Sequence, residues 1–188
     1  MRRTSPVLAA LATSGLVLAG CGGSSTSSGT APSSYVHQVC SAAANYESQL
    51  KTVAANFEKS AQSSASDLPA LKRQFVALLS TAENDTNNLK AKVSAAGTPA
   101  VSNGGQVRSS LLGTFTTLAQ DFANAKKQAS GLSTSNAASF GSSLETLGSQ
   151  IQGEASGLGS HLSSKEGLGG SQLNTAAQKD PTCRAVGG

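Results

Sequence analysis

From Tyr35 onward apolar residues return every three or four positions, at Val36, Val39, Cys40, Ala43, Tyr46, Leu50, Val53, Phe57 and Ala61. That interval follows the 3.6-residue turn of an α-helix, not the alternation of a strand. Three further segments repeat it. Ser66 or Asp67 is placed to cap a second helix with Pro69 in its opening turn, and the face runs Leu71, Phe75, Leu78, Ala82, Leu89 and Val93 to a stop at Gly97. After the turn "GTPAVSNGG", a third face is Val107, Leu111, Phe115, Leu118, Phe122 and Ala125, ending at Gly131. A fourth starts near Ser135 and uses Phe140, Leu144, Leu147, Ile151, Leu158 and Leu162. Gly153, Gly157 and Gly159 each weaken that helix by up to about 1 kcal/mol and predict fraying or a kink. Leu173, Ala176 and Ala177 allow a last short helix, which Asp180-Pro181 stops.

Four long helices joined by short turns predict an all-α chain, an up-down-up-down four-helix bundle with a short C-terminal helix. Leu, Ile, Val and Phe are only 36 of the 188 residues, at the edge of what a packed core requires. Net charge is low and Ala, Ser, Thr and Gly fill the deficit, which points to a slim helical core and not to disorder. Such a core leaves little apolar surface for a deep ligand cavity. The formal charge is +4, but Arg2 and Arg3 precede the helical region; without them the basic residues exceed the 10 acidic ones by only two. The remaining basic residues are scattered, aromatics are 4% and tryptophan is absent, so no nucleic-acid partner is expected.

Residues 1–20 have a charged start, an apolar stretch from Pro6 to Ala19 too short to span a bilayer, and small residues at the end, the pattern of a secretory signal peptide. The stretch Leu18-Ala19-Gly20-Cys21 resembles the lipobox of bacterial lipoproteins. That resemblance implies that the Cys21 thiol is diacylglycerated and that cleavage makes Cys21 the N-terminus. Each buried CH2 of an acyl chain contributes roughly 0.8 kcal/mol, so two chains hold a protein on a membrane without a transmembrane helix. Residues 21–34 then read as the lipidated cysteine and a Gly/Ser/Thr tether, and 35–188 as the bundle domain. The expected location is the extracytoplasmic face of a cell membrane, with the membrane itself a partner through the lipid.

Taking Cys21 out of the three cysteines leaves Cys40 and Cys183. An up-down-up-down bundle puts the start of the first helix and the end of the fourth at one end, and thiols beyond the membrane are oxidised. An intramolecular Cys40–Cys183 disulfide is therefore expected, against two free thiols or a bridge between molecules. Closing a loop of about 144 residues stabilises by roughly 5 kcal/mol at most on the chain-entropy estimate.

"YVHQVC" entering the first helix, "AAGTPAVSNGGQV" between the second and third, and the closing "AAQKDPTC" resemble the small secreted proteins and lipoproteins of actinobacteria, a set of helical cell-envelope proteins. The resemblance implies fold and location. It carries no catalytic residues.

His37-x-x-Cys40 with His161 and Cys183 could form a four-coordinate zinc set. His161 lies well before Cys183, however, and an exported thiol pair oxidises, so no metal or other cofactor is expected. Ser48-x-x-Lys51 matches the S-x-x-K of penicillin-interacting enzymes, but 31 serines and 9 lysines produce such a pair by chance and the companion motifs are absent. Glu47, Glu58, Glu83, Asp85 and Asp121 read as single carboxylates on solvated helix faces. The chain is thus expected not to be an enzyme but a non-catalytic binding or structural envelope module, meeting an envelope protein or polymer. The alternative is a carrier of a small hydrophobic ligand or lipid between helices.

Overall fold

The computed structural model describes residues 29–64, 66–163 and 170–186, with backbone only over 154–163. The expected signal peptide, the lipobox residues Leu18, Ala19 and Gly20, Cys21, and the first part of the tether lie outside the described residues, as do the side chains of Leu158, His161 and Leu162. Among the described residues six helices follow in order: α1 (Pro32–Ser63), α2 (Leu68–Ala95), α3 (Gly104–Gly131), α4 (Ala137–Ser163), α5 (Ser171–Lys179) and α6 (Pro181–Ala185). The chain is an all-α bundle, as the periodicity predicts.

The helix ends follow local chemistry. The Asp67 carboxylate caps α2 by accepting the Ala70 N–H at 2.9 Å, with Pro69 in the first turn where no N–H is needed. Asn136 does the same for α4 through the Ser139 N–H at 3.0 Å. At the end of α3, Lys72 reaches over from α2 and donates to the carbonyls of Ser130 and Leu132, each at 3.0 Å, satisfying acceptors the helix leaves open. α4 continues unbroken through Gly153, Gly157 and Gly159, where fraying was expected.

Two boundaries differ from the sequence reading. The tether was expected to run through Ser34, but α1 begins at Pro32, because proline's fixed φ and missing N–H suit a first helical position. Asp180-Pro181 does stop α5, yet the same pair starts α6. Asp180 accepts the N–H groups of Thr182 at 2.8 Å and Cys183 at 3.3 Å, and Pro181 takes the opening position.

The helices pack in sequence, α1 on α2, α2 on α3 and α3 on α4, while α5 and α6 pack against α1. Among the described residues α5 and α6, not α4, join α2 in covering α1. The core joins Tyr35, Val39 and Tyr46 of α1, Leu79, Leu89 and Val93 of α2, Val107, Phe115 and Phe122 of α3, Leu147 of α4 and Leu173 of α5. Only the first half of α1 is deeply buried. From Glu47 to Ser63 no residue is fully covered, and Phe57 packs its ring on Phe75 at a centroid distance of 5.5 Å.

Candidate functional site

Two chain segments far apart in sequence are stitched together where α1 begins. Thr30 donates its N–H to the Thr98 carbonyl at 2.7 Å, accepts the Ala100 N–H at 2.8 Å, and donates its hydroxyl to the Ala96 carbonyl at 2.7 Å. The turn between α2 and α3 is thereby tied to the entry segment by a single bridge, Thr30 with Pro99. Gly97 makes the approach possible: it sits at φ 82°, in the left-handed region, and a Cβ there would lie 2.8 Å from the Thr30 hydroxyl oxygen. Within the turn itself, a Cβ on Gly104 would lie 2.0 Å from the Pro99 carbonyl oxygen.

The same end carries a second fastening. Cys40 and Cys183 lie at disulfide distance, with sulfurs 1.98 Å and Cα atoms 4.9 Å apart across a sequence separation of 143. One turn before each cysteine, His37 and Asp180 meet, Nδ1 to Oδ2 at 2.9 Å. Burial pushes the Asp180 carboxyl up, but the hydrogen bonds from His37, Thr182 and Cys183 outweigh it and hold the group below its ordinary value. An ionised carboxylate only accepts, so His37 Nδ1 is the donor.

Of the residues weighed for metal, Cys40 and Cys183 are committed to each other and His37 to Asp180, and among the described residues no three His, Cys, Asp or Glu side chains are placed to hold a metal ion. Ser48 and Lys51 are both exposed, and Lys51 pairs with Glu47 at 2.6 Å, not with the serine. Glu83 pairs with Lys126 across α2 and α3.

Hollows among the described residues are open to solvent. One of about 250 Å3 lies between α3 and α4, with Leu118, Phe122 and Ile151 as its apolar floor and Asp121, Gln128 and Gln150 at its rim. Another of about 290 Å3 lies between α1 and α2, where Val53, Phe57 and Leu78 are interleaved with Asn56, Gln74 and Thr81. Both lie along the helices, beyond the stitched end. Such mixed, shallow surfaces suit contact with another macromolecule or an extended polar chain more than enclosure of an apolar molecule.

Sequence reasoning missed Asp180 as a partner for His37 and as a cap. The signal was present, since an acidic residue before proline is a helix-start pattern as well as a stop. Thr30 carries no periodic signal, and its role follows from a contact 69 residues away in the chain.

The fold and its fastenings define a helical bundle with one end closed by a long-range cysteine pair and a stitched entry segment. No protein-family model matches the chain, and comparison with curated proteins and with solved structures returned no match.

Proposed function

We propose that the chain is a lipid-anchored, non-catalytic binding module on the extracytoplasmic face of a cell membrane, which presents its helical flanks to an envelope protein or polymer. The observation that carries this reading is Leu18-Ala19-Gly20-Cys21, a stretch that resembles an acylation signal and ends eight residues before Gly29. The paired Cys40 and Cys183 support it, because such pairs persist where thiols are oxidised. No helix among the described residues is long and apolar enough to cross a membrane, so the acyl chains are the anchor this reading requires.

The open clefts favour a binding module over a carrier of a small hydrophobic ligand, which needs an enclosed apolar cavity. Photo-crosslinking from Asn56 and Gln150, in cells producing the acylated protein, tests the reading. The expected result is a discrete crosslinked protein or envelope polymer from at least one position. Copurifying lipid with no crosslink would replace the module with the carrier.

A further inference from the structure

The small net charge hides an uneven distribution. Lys90 and Lys92 lie within about 8 Å of the end of α2, and Arg108 within about 6 Å of the start of α3, at a rise of 1.5 Å per residue. Lys179 and Arg184 flank the Asp180–Cys183 stretch that is fastened to His37 and Cys40 near the start of α1. These five basic residues therefore gather at the stitched end. Among the described residues none of them has a carboxylate partner, and Arg108 donates instead to the neutral Ser94 hydroxyl at 2.9 Å. The one described carboxylate there is Asp180, already held by His37 and two backbone N–H groups. Elsewhere the charges are mixed, and both Lys51 and Lys126 are paired.

The basic end is also the end that Gly29 enters. Eight residue steps separate Gly29 from Cys21, a span of at most about 28 Å however the chain runs. We propose that this end docks on anionic phospholipid headgroups, with Lys92, Lys179 and Arg184 as exposed contacts. The orientation rests on the lipid anchor proposed above. Acyl chains and basic end then act together, the short span keeping the basic groups near the surface where a weak electrostatic attraction is sufficient. Docking by this end leaves the cleft-bearing flanks standing away from the bilayer.

The test uses residues 21–188 with Cys21→Ala, which has no acyl chain and retains every packing contact of residues 29–186. Its binding is measured to vesicles of phosphatidylcholine with and without phosphatidylglycerol. Binding is expected only with the anionic lipid and is lost in high salt. Each basic contact is worth about fivefold, so Lys92→Gln, Lys179→Gln and Arg184→Gln together weaken it about a hundredfold. The matched triple Lys59→Gln, Arg73→Gln and Lys127→Gln, exposed and away from that end, changes it less than about threefold. Equal losses in the two triples, equal binding to both vesicles, or binding to polyglutamate but to neither vesicle would overturn the proposal. A separate detergent-partition comparison of the full chain with its Cys21→Ala variant reads the acyl anchor, so the two failures are distinguishable.

Discussion

Tyr35 and Tyr46 share a helix and are both buried, but their hydroxyls are treated differently. Tyr46 lies 2.9 Å from the Thr86 hydroxyl, which itself donates to the Ala82 carbonyl, so the phenol is the donor between them. Burial pushes both phenols up; Arg108 partly offsets this at Tyr35, whose hydroxyl has no partner among the described residues. An unpaired buried hydroxyl costs about 1–3 kcal/mol, whereas a paired one contributes about 0.5–1.5 kcal/mol. Tyr35→Phe is therefore expected to hold or raise the melting temperature, and Tyr46→Phe to lower it by a few degrees, in thermal unfolding followed by circular dichroism. The Tyr46–Thr86 pair also shows what periodicity misses. The α2 face was expected to run through Leu78 and Ala82 to Leu89; in the fold Thr86 is fully buried between Ala82 and Leu89, and Leu79 is buried where Leu78 is only half covered. A pattern of apolar residues cannot register a buried threonine, and two adjacent leucines leave its register open by one residue.

At the scale of elements, helix bodies were legible and junctions were less so. Caps such as Asp67 act within three residues and can be read locally, whereas the stitch of Thr30 to the α2–α3 turn depends on segments brought together by folding. That turn makes a sharp comparison of neighbouring glycines. Gly104→Ala drives a methyl group into the Pro99 carbonyl and is expected to destabilise by at least about 1–3 kcal/mol; Gly105→Ala meets nothing within 4 Å and is expected to stabilise by about 0.4–1 kcal/mol, both read by urea unfolding. The α5–α6 latch has its own signature in acid. Because Asp180 has a lowered folded-state pKa, its contribution is complete above the unfolded value near 3.9 and is lost as pH falls through the folded value. Stability should thus decline as pH falls below the unfolded value and through the lower folded one, and Asp180→Asn should show a shallower decline over the same window.

For the whole molecule, the cysteine count and the bundle topology together made the closing pair legible, while the packing order was not. Helical faces specify that α4 and α5 must be covered but not by which neighbour; in the fold α4 packs on α3, and α5 and α6 join α2 against α1. The gathering of basic residues at one end was likewise hidden, since residues scattered along the sequence converge only when α2, α3, α5 and α6 share an end. The role of the three cysteines joins the proposed anchor to the observed closure, and non-reducing mass spectrometry of the protein extracted from membranes measures both at once. The expected result is an N-terminal Cys21 carrying acyl chains and a linked peptide pair containing Cys40 and Cys183. An unacylated Cys21 with Cys40 and Cys183 both open to alkylation would contradict it.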